Sequence, residues 1–181
     1  MAKLNGANSN QVEMELLLAL AITKKDYFSN SRKRHLYSTM EVMILCELDR
    51  LGKLEENRRR EIMQFMEAYY DPELKNEVMV PFLYDTACRY EQEERYHQLY
   101  EIAQMGVDII CSGRSYLYLA EMHFMKVKAE EKLCKKDPEV LQRLYQRCKE
   151  IYWFLSIDER EEEMQQVEDY CMEVFGWPII K

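Results

Sequence analysis

This chain has very little punctuation, and that constrains it most. Its 181 residues include five glycines and four prolines, against 48% hydrophobic and 32% charged residues. Sheet proteins need more turn residues than this, whereas helices joined by short corners do not. No stretch alternates polar and apolar residues long enough to read as a strand. From Asn10 onward apolar residues recur at helical spacing, as in Val12, Leu16, Ala19 and Leu20. The fold class is all-α.

The length suits one domain that buries about two-thirds of its unfolded surface. Residues 1–9 carry no periodic pattern and read as a flexible arm, leaving 10–181 as a single helical-repeat domain. Stop signals then divide the chain. Gly52 ends a second helix that starts near Ser31, and Asp71-Pro72 ends a third. A fourth runs over 77–92, with Pro81 tolerated in its first turn, and a fifth runs over 95–111. A sixth spans 115–134, and Asp137-Pro138 caps a seventh that reaches Leu155. An eighth starts near Asp158 and closes at Phe175-Gly176-Trp177-Pro178.

The helices come in pairs, and the pairs repeat. Laying Tyr96 on Leu54 shifts the chain by 42 residues, which brings Cys88 onto Cys46, Ala87 onto Leu45 and Tyr90 onto Leu48. The same shift carries Met66 to Asp108 and Ala68 to Ile110. Hairpins of about forty residues predict a short tetratricopeptide-like α-solenoid of about eight antiparallel helices.

Chemistry is harder to find. The net charge of −8 argues against a nucleic-acid surface, since that affinity rests on Lys and Arg. The basic stretches Ser31–His35 and Arg58–Arg60 read as solvated helix faces. The six cysteines (46, 88, 111, 134, 148 and 171) lack zinc-ligand spacing and suit reduced, buried thiols of a cytoplasmic protein. No basic-then-apolar leader begins the sequence, and no apolar run reaches membrane-spanning length. His35, His97 and His123 stand apart from any nucleophile or metal motif. Cys88 and His97 fall on successive helices. Only Glu94 and His97 make a usable ExxH, without the partner a di-iron bundle needs. The acidic runs Glu91–Glu94 and Glu159–Glu163 read as a solvated rim. No glycine-rich phosphate loop is present. Neither catalytic residues, a metal nor a cofactor is implied, and the chain reads as a non-enzyme.

Several segments together resemble a known family. Val80–Tyr96 (VPFLYDTACRYEQEERY) is similar to the middle tetratricopeptide-like hairpin of XRE-family helix-turn-helix transcriptional regulators of the Rgg/PlcR-like kind. His97–Arg114, with Gly106 and Cys111, is similar to the helix that follows. Ile151–Met164 and Tyr170–Pro178 are similar to the family's aromatic helix, acidic corner and closing helix. The resemblance covers roughly Ser38 to Trp177 and implies the C-terminal sensor and dimerisation half of such a regulator, which binds short peptides. The family's upstream DNA-reading domain has no counterpart in the stretch before the first helix, so this chain is not expected to contact nucleic acid directly. Two further departures are Asp85, where the family has Asn, and Glu94, where it has a corner glycine.

The expected function is therefore a ligand-, peptide- or protein-binding sensor module. Its groove is lined by Met43, Glu47, Tyr84, Asp85, Cys88 and Tyr118, and its acidic balance favours a ligand with positive charge. The alternative is a structural homodimerisation scaffold with Phe154, Phe175 and Trp177 at its interface.

Overall fold

The computed structural model describes residues 6–23, 37–113, 115–134 and 137–179, which are all-α with no strand among them. The chain divides into two compact units, Met1–Asp71 and Pro72–Lys181.

The first unit contains α1 (Gly6–Thr23), α2 (Thr39–Arg50) and α3 (Glu56–Tyr69). α1 begins at Gly6, ahead of the expected cap at Asn10. Residues 1–5 of the expected arm lie outside the described residues, as do Ser31–His35 and the expected start of the second helix. α2 starts later than the apolar pattern predicts, because Ser38 caps it. The Ser38 hydroxyl accepts the Glu41 amide at 3.3 Å, and the Glu41 carboxylate accepts the Ser38 amide at 2.7 Å. This reciprocal box satisfies two helix-terminal donors at once.

Leu20, Val42, Leu45, Leu48, Ile62 and Met66 are buried in this unit, and so is an ion pair. Arg59 donates from Nε and Nη2 to Asp49 Oδ1 at 3.0 and 2.8 Å, and from Nη1 to Glu56 at 2.5 Å. The Arg58–Arg60 run is thus not a wholly solvated face. Successive helical positions turn about 100°, so Arg59 faces inward while Arg60 stays exposed. Burial pushes the Asp49 carboxyl up to about 6, against the opposing pull of the Arg59 guanidinium.

The second unit opens with a single turn, α4 (Pro72–Leu74), which widens into a π-helical turn over Lys75–Met79 and continues as α5 (Val80–Gln92). Helical backbone therefore precedes Pro81 instead of starting just before it. A proline inside a helix removes one amide and crowds the carbonyl four residues back. Next to it the ladder is spaced by five, with the Val80 amide bonded to the Lys75 carbonyl, a widening characteristic of a π-bulge. Next come α6 (Tyr96–Ser112), α7 (Leu119–Leu133), α8 (Pro138–Ile157) and α9 (Glu161–Val174).

From α5 to α9 each helix packs on the next, and α5 also reaches α7. α6 and α7 approach closely at Gly106, where a Cβ would stand 2.7 Å from the Met122 Cε. Phe124, Leu144, Cys148, Ile151, Leu155, Val167 and Cys171 share one buried cluster. None of the six cysteines forms a disulfide. Cys148 and Cys171 are buried with their thiols hydrogen-bonded to each other, Cys46, Cys88 and Cys134 are half-buried, and Cys111 is exposed.

Three corners share one geometry. Gly52, Glu94 and Glu159 are left-handed, with φ of 72, 56 and 53°. The amide after each bonds to the carbonyl five residues earlier: Lys53 to Leu48, Arg95 to Tyr90, and Arg160 to Leu155, at 2.9, 2.8 and 3.2 Å. Each left-handed residue also bonds three residues back, which completes a Schellman motif. The sequence announces this corner only at Gly52. At the other two, glutamate occupies a conformation that an L side chain enters at about 1 kcal/mol.

The corners also test the repeat. Gly52 and Glu94 are 42 residues apart, and on that shift Leu45 and Ala87 are both buried, as are Leu48 and Tyr90. Beyond the corner the shift fails, for it lays buried Met66 on exposed Asp108. A shift of 40 pairs Arg59 with Leu99, Ile62 with Ile102 and Met66 with Gly106, all buried. The first corner is longer: four positions separate Gly52 from Glu56, and two separate Glu94 from Tyr96.

Glu94→Gly should raise the unfolding free energy by about 1 kcal/mol, and Gly52→Ala should lower it by a similar amount. Urea denaturation of both variants checks the strained-corner account, which a neutral or destabilising Glu94→Gly would contradict.

Arg59→Met removes the guanidinium that faces the buried Asp49 carboxylate and should cost about 3 kcal/mol at neutral pH, most of which the double change Asp49→Leu, Arg59→Met recovers. The Asp49 carboxyl is raised in the folded state, from 3.8 to about 6. Its stabilising contribution is therefore complete below 3.8 and is lost as pH rises through about 6. Unfolding free energies measured across that range should show a falling component in the parent that is missing from the double variant.

Candidate functional site

Tyr84, Asp85 and Cys88 occupy neighbouring positions on α5, and Tyr118 sits at the start of α7. The fold brings them together. The Tyr84 and Tyr118 rings are 5.1 Å apart and tilted by 40°. The Tyr84 hydroxyl donates to the Cys88 thiol, and burial pushes the tyrosine well above its ordinary range. Tyr118 is left-handed at φ 66°. A bulky side chain in that region is a genuine outlier, of the kind found where a side chain must be aimed. Burial raises the Tyr118 hydroxyl too, assisted by the charges of Asp85 and Glu121.

Burial also raises the Cys88 thiol, with the Tyr84 bond opposing it and the charges of Asp85 and Glu91 adding to it, so its reactive thiolate is disfavoured near neutrality. His97, the nearest imidazole in sequence, is exposed at the start of α6.

Beside the tyrosines lies a pocket of about 160 Å³, walled by Tyr84 of α5, Glu121, Phe124 and Lys128 of α7, Leu155 of α8, and Arg160, Glu163 and Val167 around the start of α9. Its electrostatics centre on Arg160. One guanidinium nitrogen donates to Glu121 Oε1 at 2.5 Å and to Glu163 Oε1 at 2.6 Å. The second Glu121 oxygen is buried and takes no hydrogen bond from any described residue. A carboxylate oxygen shut away from water without a donor is unfavourable, and a donor arriving with a ligand would relieve it. Lys128 is engaged elsewhere: it pairs with Glu91 at 2.8 Å and lies 4.7 Å from the centre of the Phe124 ring.

Met43 and Glu47 stand on α2 in the first unit, both exposed, with Glu47 bridged to Arg50 at 2.7 Å. Of the interface candidates, Phe154 and Phe175 are half-buried against the core cluster of the second unit. Trp177 is exposed, its ring 5.2 Å from that of Tyr145.

Sequence reasoning missed Glu121, Arg160 and Glu163. The acidic run Glu159–Glu163 reads as a rim, yet Glu163 turns inward to Arg160. One signal was available. The residue after each left-handed corner is basic in all three cases, Lys53, Arg95 and Arg160, and all three form ion pairs. Glu121 lies 39 residues from Arg160 and gives no local sign. Among the described residues no group of His, Cys, Asp and Glu could hold a metal ion, and no helix is long and apolar enough to cross a membrane.

Compared with family models, with curated proteins and with solved structures, the chain finds no match.

Arg160 holds the Glu163 carboxyl below its ordinary 4.5. A depressed carboxyl stabilises the fold above its unfolded value, and that contribution disappears as pH falls. Arg160→Gln should cost about 2 kcal/mol at neutral pH through the stranded Glu121. It should also flatten the acid-side fall in Tm. An unchanged profile of Tm against pH would show that the Arg160 contacts are incidental.

Proposed function

We propose that the chain is a non-catalytic sensor module of tetratricopeptide-like α-solenoid build that binds a short peptide or a protein segment carrying a basic side chain. The observation that carries this reading is the buried, unpartnered oxygen of Glu121 in a pocket walled by Tyr84, whose ring packs on that of Tyr118. A volume of about 160 Å³ admits roughly five water-sized groups, enough for one lysine side chain and too little for a whole peptide. The pocket is thus an anchor: an ammonium or guanidinium donates to Glu121 and Glu163, and the Tyr84 and Phe124 rings flank its aliphatic stem. Asp85 beside Tyr118 and Cys88 adds to the negative field, which suits a basic ligand.

The resemblance to Rgg/PlcR-like regulators supplies the biological frame, a cytoplasmic regulator in which peptide capture alters hairpin packing or subunit contacts. DNA contact in that frame belongs to a helix-turn-helix domain and not to these residues. Consecutive packing from α5 to α9, the added α5–α7 contact and the recurring corner all favour the solenoid reading.

The alternative, a homodimerisation scaffold, has one observation of its own. Met14, Leu18 and Ile22 are exposed along α1 at a spacing of four, a stripe suited to pairing with a second helix. A constant monomer mass in light scattering up to high protein concentration would dispose of it.

For the sensor reading, titration of the chain with lysine-containing heptapeptides should raise Tm, while glutamate-containing peptides of the same length should not. Glu121→Gln should weaken the basic peptides about tenfold, the equivalent of roughly 1.4 kcal/mol. Equal responses to both charge classes, or unaltered affinity in Glu121→Gln, would refute the proposed anchor.

A further inference from the structure

A second cavity, of about 300 Å³, lies across α7 and α8 and has the opposite character. Its apolar wall is Leu119, Ile151 and Phe154, and its polar wall is His123, Lys126 and Arg147, with exposed Glu150 at the margin. Lys126 decides what this cavity can hold. Its residue is 91% shielded from solvent, with 9% exposed, and Nζ donates to Gln104 Oε1 at 2.5 Å while lying 5.4 Å from the centre of the Tyr100 ring. An ammonium has three donors. Among the described residues none of the ion pairs within 4 Å involves Lys126, and Gln104 is its one hydrogen-bond acceptor. The two acids that act on Lys126 are engaged elsewhere. Glu130 is shared by Arg143 and Arg147, and Asp108 accepts from Gln104 at 2.7 Å.

The cationic side chains therefore repel one another inside a partly dry site. Burial lowers the basicity of Lys126, and the Arg147 charge lowers it further, Glu130 and Asp108 opposing them. Burial likewise keeps His123 below its ordinary range, and the charges of Lys126 and Arg147 act the same way, Glu150 opposing them. Glu150 offsets this charge only from its exposed position, and Glu130 is shared with Arg143, so an anionic group entering the cavity meets an under-compensated Lys126. The opposite wall offers apolar surface to whatever is attached to that group.

We infer that the α7–α8 cavity is a binding site for a small amphiphilic carboxylate, its head group on Lys126 and Arg147 and its apolar body against Phe154, Ile151 and Leu119. The volume fits about ten heavy atoms, the size of octanoate or a phenylalkanoate. The neutral imidazole of His123 adds a hydrogen-bond donor to the head group. This site does not depend on the Tyr84 pocket, which takes the opposite charge, and either can fail without the other.

Isothermal titration calorimetry of the full chain with octanoate, octanol and octylamine tests it. Octanoate should bind with one-to-one stoichiometry and raise Tm, octanol should bind at least tenfold more weakly, and octylamine should not bind. Lys126→Met, which keeps an unbranched apolar stem and removes the ammonium, should reduce octanoate affinity at least tenfold and leave octanol unchanged. Far-UV circular dichroism verifies that this variant is folded. If it is not, Phe154→Trp fills the cavity without touching a charge and should abolish octanoate binding on a folded chain. Glu121→Gln should bind octanoate like the parent. The assignment is overturned if octanoate fails to bind, if octanol binds as tightly as octanoate, or if both Lys126→Met and Phe154→Trp bind octanoate unchanged.

Discussion

The corner in which a left-handed residue closes a six-to-one hydrogen bond is the constraint on which the hairpins depend. It occurs at Gly52, Glu94 and Glu159, and each time it ends one helix within a turn of where the next begins. A chain with five glycines cannot provide glycine for every reversal. Two of the three corners are instead held by packing: the preceding helix buries Tyr90 or Leu155 beside the corner, and the basic residue that follows is tied by ion pairs. Local strain is tolerated because the flanking helices over-determine it.

The all-α class was legible from the lack of punctuation and the helical spacing, and helix existence follows the sequence more closely than helix ends do. The capping box at Ser38 and Glu41 could be read directly, yet the apolar pattern suggested an earlier start for that helix. The 42-residue register is sound through Tyr90 and Glu94 and then slips, because loop length between repeats leaves no mark on periodicity. Arg59 was invisible as a core residue: three adjacent arginines read as surface, and only the partner at Asp49, ten residues away, makes one of them interior. Tyr84, Asp85 and Cys88 could be grouped from the sequence because they share one stretch of α5, and Tyr118 meets Tyr84 through ring packing. Glu121 and Arg160 meet only through tertiary packing, which no spacing rule encodes.

α7 is the element on which both cavities rest. It is buried on most sides and carries Glu121 toward one pocket and His123 and Lys126 toward the other. Ala120 and Ile151 contribute to both walls. A helix so surrounded, with charge of opposite sign on two flanks, has little freedom to tilt without altering both pockets. Ligands of opposite charge would therefore meet the same rigid element, and any coupling between them is reciprocal.

The two thiols buried between α8 and α9 have a practical meaning for the molecule's own motions. Cys148 and Cys171 are fully shielded, while Cys111 on α6 is exposed in the same unit. A thiol reagent can reach the first pair only when the last two helices part, whereas Cys111 reacts at the rate its own chemistry sets. The logarithm of the ratio of those rates, scaled by RT, reports a free energy of opening, so the sequence carries a gauge of how often its closing hairpin comes undone.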